Sequence, residues 1–174
     1  MKWFLVTLAV LVGIALLIFL VGAMLPRQHV SSRAAVYKQS ADEIWSVITD
    51  PQKFPEWRKS VKQVVLLPPV QGQASWREVD AHGGAIPYEI IESTAPRRLI
   101  TRSADLKLPF GGTWTYELSP APDGGTVLRI TENGEIYNRV FRFVARFFMG
   151  YARTQEEYLR DLGNKFGETV AVAN

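Results

Sequence analysis

Residue types that carry much of enzyme chemistry are scarce in this chain of 174 residues. It has no cysteine, which excludes disulfide bridges and thiolate metal sites. Its two histidines are His29 and His82, and the second lies beside a Gly-Gly turn. The sequence contains no G-x-S-x-G elbow, phosphate loop or dinucleotide fingerprint. We therefore expect no metal and no cofactor, and the remaining acid–base candidates are carboxylates.

Net charge is also small. A formal charge of +3 gives no argument for a nucleic-acid partner. With 47% hydrophobic and 21% charged residues, the composition is that of an ordinary folded domain. The length fits one such domain with an appendage.

Charge is absent altogether from Trp3 to Leu25. A helix of about 23 residues is about 34 Å long, enough to cross a hydrocarbon core of about 30 Å. Residues 1–25 are therefore predicted to be a transmembrane anchor, with residues 3–25 in the bilayer. The protein would then be a single-pass protein of the cell membrane.

Two questions about this segment stay open: whether it is cleaved or retained, and which way it crosses the membrane. The small residues at 21–23 resemble a signal-peptide cleavage site, although the apolar run is longer than a signal h-region. More basic residues follow the segment than precede it, which favours a cytoplasmic domain by the positive-inside rule. These residues are Arg27, Arg33 and Lys38 after it, and Lys2 before it.

The rest of the chain divides into a polar tether over residues 26–32, a domain over 33–167 and a tail over 168–174. Ser40 and Glu43 have the spacing of a capping box, so a helix is predicted to begin there. A second short helix begins near Pro55. Glycine and proline turns separate strands that must be antiparallel neighbours. The predicted strands are Arg33–Gln39, Val64–Leu67, Ala74–Val79, Ile86–Glu92, Leu99–Ser103, Thr113–Leu118 and Thr126–Glu132.

From Asn138 to Lys165, apolar residues recur at intervals of three, four or seven residues, which predicts one long C-terminal helix. In the last hairpin, the period of two places Trp114 and Tyr116 on the inner face of the sheet.

These elements resemble the START-like superfamily, in particular its polyketide cyclase/dehydrase and lipid-transport branch. The resemblance covers roughly residues 33–167 and rests on segments 41–50, 54–57, 112–118 and 125–132. It implies an α+β helix-grip fold, in which a curved seven-stranded antiparallel sheet surrounds a long C-terminal helix. Members bind lipids, sterols, polyketides or other hydrophobic molecules between helix and sheet, and some are enzymes. The transmembrane helix is an addition to this pattern.

A hydrophobic small molecule or lipid would then lie between the long helix and the sheet. The residues expected at this ligand pocket are Trp57, Tyr88, Arg102, Trp114, Tyr116, Phe147 and Tyr151. A solidly packed core is the alternative. Trp57 is equally consistent with a core position, and Arg102 with the surface of the fifth strand.

Glu132 is the candidate catalytic acid or base. Alternation from Leu128 and Ile130 places it on the inner face, where a carboxyl group in an apolar cavity suits acid–base chemistry. The alternative is that the strand bends at Asn133-Gly134 and that Glu132 pairs with an arginine at the rim.

Three arginines early in the long helix, Arg139, Arg142 and Arg146, have no acidic residue nearby in the sequence. Contact with anionic lipid headgroups is one hypothesis, and a solvated helix face is the other.

Three functions fit this sequence. The first is a membrane-anchored binding protein for a hydrophobic small molecule or lipid. The others are a cyclase or dehydratase-type enzyme that uses the same pocket, and an interaction module with a vestigial cavity. The absence of a catalytic constellation favours binding over catalysis. A cavity, and an ionisable group with a partner inside it, would separate the three.

Overall fold

The computed structural model describes residues 2–105 and 107–174. An apolar helix precedes an antiparallel sheet, and a C-terminal helix lies across one face of that sheet. The helices are α1 (Lys2–Met24), α2 (Ala41–Ile48), α3 (Phe54–Trp57), α4 (Arg139–Val144) and α5 (Arg153–Lys165). The strands are β1 (Gln28–Tyr37), β2 (Gln63–Val70), β3 (Gln73–Val79), β4 (Ala85–Thr94), β5 (Arg98–Ser103), β6 (Phe110–Pro120), β7 (Thr126–Ile136) and β8 (Val172–Ala173). A 3₁₀ turn (Pro51–Lys53) precedes α3, and a π-helical turn (Ala145–Met149) follows α4.

The strands form one sheet in the order β2-β3-β4-β5-β6-β7-β1-β8, and all the neighbours pair antiparallel. Strands β2 to β7 are joined in sequence by short turns, as antiparallel pairing allows. The chain therefore has the α+β helix-grip fold that the family resemblance implies. Its sheet has one more strand than the predicted seven, because β8 is added beside β1.

The core lies between α5 and the inner face of the sheet. Leu159 and Leu162 of α5 are fully buried, as are Leu128 and Ile130 of β7. The hydroxyl of Tyr37 donates to the carbonyl oxygen of Leu159 over 2.8 Å, which joins β1 to α5. Burial of each such aliphatic side chain stabilises the fold by about 1.5–3 kcal/mol, so α5 is held firmly over the sheet.

The start of α2 confirms the predicted capping box. The side chain of Ser40 accepts a hydrogen bond from the backbone N–H of Glu43, and the Glu43 carboxylate accepts one from the backbone N–H of Ser40. Hydrogen bonds from Ser40 lower the pKa of Glu43. This cap fixes where the chain leaves β1 and enters the helix pair before β2.

Residues 26–32, predicted to be a tether, are mostly strand. β1 begins at Gln28, because β7 continues to Ile136 and offers backbone partners to residues 28–31. Part of the tail over 168–174 also belongs to the sheet, since Val172 and Ala173 pair with β1. In both places, pairing with a distant strand decides the structure and the local sequence does not.

The single long helix predicted over 138–165 is interrupted. The π-helical turn ends at Gly150, whose φ of 73° lies in the left-handed region that glycine adopts without strain, and α5 begins at Arg153. α5 packs across the inner face of the sheet, whereas α4 packs mainly against α1 and touches the sheet only where Phe141 meets Phe110 and at β7. Residues before Gly150 are therefore separated from the helix–sheet interior.

We expect a protein that begins at Pro26 to fold without α1, because Arg27 already accepts a backbone hydrogen bond from Ile136. A protein that begins at Ser32 should be less stable by about 1–3 kcal/mol, because buried Gln155 loses both of its hydrogen bonds to Ser31. Urea unfolding of the two proteins measures the difference. Equal stabilities would show that the first residues of β1 contribute nothing.

Candidate ligand-binding cavity

A cavity of about 260 Å³ lies between α5 and the inner face of β3, β4 and β6. A narrow recess of about 30 Å³ shares four of its lining residues, Arg58, Glu78, Tyr88 and Trp114. The two spaces are therefore parts of one site, which we call the inner cavity.

Aromatic rings from three strands and α5 form much of its wall. Trp76 of β3 stacks on Tyr88 of β4, with ring centroids 5.9 Å apart. Trp114 and Tyr116 of β6 lie 6.2 and 5.6 Å from the ring of Tyr158 on α5. The alternation of strand side chains places all four strand residues on the inner face. This part of the wall is thus apolar, with phenol groups set into it.

A largely buried ion pair lies within the cavity lining. Nη1 of Arg58 is 2.7 Å from Oε1 of Glu78, and the two side chains are 14% and 11% exposed. The indole N–H of Trp76 donates to the same Glu78 oxygen over 3.1 Å. The guanidinium also lies 5.0 Å from the ring centroids of Phe54 and Tyr158. Glu78 and these ring faces together compensate the buried charge of Arg58.

The protonation states of the lining follow from burial and charge. Burial by itself would lower the pKa of Arg58. The negative charge of Glu78 and the nearby tyrosine oxygens raise that pKa by more, so the guanidinium stays charged. Burial raises the pKa of Tyr88, Tyr116 and Tyr158 above the ordinary value. At physiological pH these tyrosines are neutral, so each hydroxyl keeps its proton and acts as a hydrogen-bond donor.

Residues 28–164 match the model of the family described as polyketide cyclase / dehydrase and lipid transport. The chain belongs to this family. A search of curated protein sequences gives no significant match.

Solved structures of similar fold include two enzymes of small-molecule biosynthesis. The di-domain ARO/CYC StfQ from the steffimycin biosynthetic pathway has 14% sequence identity and a TM-score of 0.63, over 80% of this chain. This chain spans only 52% of that one. Norcoclaurine synthase from Thalictrum flavum has 12% identity and a TM-score of 0.63, over 81% of this chain and 87% of that one.

A START superfamily protein from Mycobacterium smegmatis is similar over 79% of this chain and 96% of that one, with 16% identity and a TM-score of 0.62. At these identities the structures show the fold alone. The family model and the fold together support a role in ligand binding or cyclisation.

In this family member, the predicted pocket residues fall into three groups. Tyr88, Trp114 and Tyr116 line the inner cavity. Trp57 is buried beside it, edge-on to Phe54 and Tyr158, and belongs to the core. The remaining three lie outside the cavity lining and are described next.

Arg102 pairs with Glu89 of the neighbouring strand, its Nε donating to Oε1 over 2.8 Å. Glu89 alternates with Tyr88, so this pair lies on the outer face of the sheet. Phe147 lies before the break at Gly150 and is 58% exposed. Tyr151 lies just after it and stacks on His29, with ring centroids 4.0 Å apart. Arg102 is thus a surface residue, and the helix break removes Phe147 and Tyr151 from the cavity.

Glu132 faces inward, as alternation predicts, but lies outside the cavity lining. β7 does not end there, and Oε1 of Glu132 is 3.7 Å from Nε2 of His29, with no arginine in its place. Its Oε2 lies 3.5 Å from the amide nitrogen of Gln155, which is fully buried. Gly134 leaves room for the imidazole, because a side chain at that position would collide with the ring. His29 is therefore part of the domain and not of a tether.

The ion pair was missed at the sequence level. Glu78 could have been found, because the period of two from Trp76 places it on the same inner face. No sequence periodicity points to Arg58, because it lies in the connection between α3 and β2. Only the fold brings it within reach of Glu78.

A larger groove of about 650 Å³ lies at the opposite end of the sheet, beside Ser40, Pro96 and Leu118. Its lining contains no aromatic residue and no buried ion pair. Among the residues that the structure describes, the inner cavity therefore has more of the features of a ligand site than this groove has.

Proposed function

We propose that this protein is a membrane-anchored binding protein for a small hydrophobic molecule, or for one end of a lipid, held in the inner cavity. The observation that carries the proposal is an aromatic cavity between α5 and the sheet with a single ion pair in its lining. Apolar walls would hold the ligand, and a few polar groups would orient it. Its volume of about 260 Å³ is just below the range of roughly 300–1,000 Å³ for drug-sized ligands. A small ring system, or part of a longer molecule, fits that space.

The position of the cavity relative to α1 supports this function. Val79 ends β3, Ile86 is near the start of β4, and Thr154 is in the first turn of α5, and all three line the cavity. Because successive strands are antiparallel, these residues lie at the same end of the sheet as Gln28, where the chain arrives from α1. We call this the anchor end. With α1 in a membrane, apolar ligands dissolved in that membrane would lie near the cavity.

A cyclase or dehydratase-type reaction is the second candidate. It is favoured by the ion pair of Arg58 and Glu78 and by the neutral phenol groups around it, since such donors can stabilise an oxyanion. The acid–base group would then be a carboxylate of the lining, such as Glu78, and not Glu132, which lies outside it. The cavity also argues against an interaction module with no ligand space.

We expect Ile86→Trp to weaken the binding of an apolar probe by about tenfold or more, corresponding to about 1.4 kcal/mol. The indole would occupy the cavity that Ile86 lines at the anchor end. Fluorescence titration of the detergent-solubilised protein with N-phenyl-1-naphthylamine measures the affinity. Mass spectrometry of the purified protein under native conditions would show whether a co-purified small molecule is also lost.

Ile91→Trp is the matched control, because Ile91 is on the same strand and is 43% exposed. It should leave both the affinity and the melting temperature unchanged. If Ile86→Trp binds the probe as tightly as the unmodified protein while remaining folded, the inner cavity is not the binding site.

A further inference from the structure

The turn between α4 and α5 exposes a continuous apolar surface. Phe147, Phe148 and Met149 are 58%, 76% and 47% exposed. Phe143 supports the two aromatic residues, with ring centroids 4.9 and 6.1 Å from Phe147 and Phe148. Consecutive exposed apolar side chains of this size are uncommon on a soluble domain and mark a surface that contacts another apolar phase. We call residues 139–149 the interfacial segment.

The interfacial segment is joined to the end of α1. Gly22 lies directly against the backbone of Arg139, where any side chain would collide with the carbonyl oxygen. Nη1 of Arg142 donates to the carbonyl oxygen of Leu25 over 2.8 Å. The guanidinium of Arg139 lies 5.1 Å from the ring centroid of Phe19. α4 therefore lies beside the last two turns of α1.

This contact determines the depth of the segment in a bilayer. A helix of the length of α1 spans about 34 Å, only slightly more than a hydrocarbon core of about 30 Å. Its last two turns must then lie near the boundary between acyl chains and headgroups. Because α4 packs beside these turns, it lies at the same boundary and not in bulk water.

The charges of the segment fit that location. Among residues 2–105 and 107–174, no carboxylate forms an ion pair with Arg139, Arg142 or Arg146. On α5, in contrast, Arg153 and Arg160 both pair with glutamates. Basic residues beside exposed phenylalanines are the composition of segments that lie in a membrane interface.

We propose that the interfacial segment is a second membrane contact, with Phe147, Phe148 and Met149 in the acyl-chain boundary of the leaflet where α1 ends. Arg146 lies among anionic headgroups of the same leaflet. The inference rests on the proposed role of α1 as an anchor. It adds that the domain is not free to swing on a tether but is held with its anchor end, and so the inner cavity, against the bilayer.

The absence of cysteine allows a direct test in the full chain. Three single-cysteine variants are made: Met149→Cys in the segment, Leu11→Cys in the middle of α1, and Asp123→Cys in the exposed β6–β7 turn at the opposite end of the sheet. Each variant is labelled with an environment-sensitive nitrobenzoxadiazole dye and reconstituted into phosphatidylcholine vesicles containing phosphatidylglycerol. Quenching by lipids brominated on their acyl chains reports contact with the membrane interior.

The Met149 label should be quenched several-fold more strongly than the Asp123 label. Adding Phe147→Glu and Phe148→Glu should reduce that quenching, whereas Val36→Glu, at another exposed apolar position, should not. Omitting phosphatidylglycerol should also reduce it, and Arg146→Gln should abolish this lipid dependence. Circular dichroism checks that each variant is folded.

The outcomes separate this inference from the proposed anchor. Strong quenching at Leu11 with a Met149 label no more quenched than that at Asp123 overturns the second contact and leaves the anchor standing. The second contact is also overturned if Phe147→Glu and Phe148→Glu leave the quenching of the Met149 label unchanged. The affinity of the dye itself for the membrane would then explain that quenching. An unquenched label at Leu11 overturns the anchor itself, and the second contact with it.

Discussion

Glu78→Leu is expected to destabilise the folded protein by about 3–5 kcal/mol, because it leaves the guanidinium of Arg58 buried without its counter-charge. Arg58 is only 14% exposed, and Glu78 is 2.7 Å away. Removal of one partner from a buried pair leaves the desolvation cost of the other uncompensated. The indole N–H of Trp76 would lose its acceptor as well. Urea unfolding of the full chain in detergent micelles measures the change.

Adding Arg58→Met to Glu78→Leu should restore most of the lost stability, since an apolar pair of similar volume has no charge to solvate. Glu117→Leu is the control. Glu117 pairs with Arg98 at the surface, where both side chains are more than 40% exposed, and its loss should cost no more than about 1 kcal/mol. If the double variant is as unstable as Glu78→Leu, packing and not charge explains the loss.

The second large effect is expected at alkaline pH. Burial raises the pKa of Tyr37, Tyr88, Tyr116 and Tyr158 in the folded protein above that of an exposed tyrosine. The unfolded chain therefore releases these protons first. Their contribution to stability is complete below about pH 10 and is lost as the pH rises from there towards the folded-state pKa values.

Each tyrosine should have lost about 1.4 kcal/mol by pH 11, so the four together should lose about 5–6 kcal/mol relative to neutral pH. Urea unfolding at a series of pH values between 8 and 11 measures the slope. Tyr88→Phe should reduce the alkaline loss by one tyrosine's share and change stability little at neutral pH. An unchanged slope in Tyr88→Phe would mean that Tyr88 is not buried as the structure shows.

The proposed membrane contact accounts for the position of the inner cavity at the anchor end of the domain. A cavity of about 260 Å³ cannot enclose a whole lipid, but it has room for one end of a longer molecule. A domain held against the bilayer by both α1 and the interfacial segment would meet such molecules without their crossing bulk water.

The sequence by itself determined the features that depend on near neighbours in the chain. A run without charge from Trp3 to Leu25 forms a helix because each residue bonds only to others within it. The capping box of Ser40 and Glu43 closes over three residues. Alternation placed Trp114 and Tyr116 on the inner face, because the strand period is set by the backbone.

The tertiary structure decided what depends on partners far apart in the sequence. β1 begins at Gln28 because β7 supplies hydrogen bonds across about a hundred residues, although the polar sequence there predicts a tether. Arg58 is buried only because β3 brings Glu78 beside it. Gly150 interrupts a helix that periodicity would continue, because α4 packs on α1 while α5 packs on the sheet. Local propensities are worth less than about 1 kcal/mol per residue, so long-range packing and pairing overrule them wherever the two disagree.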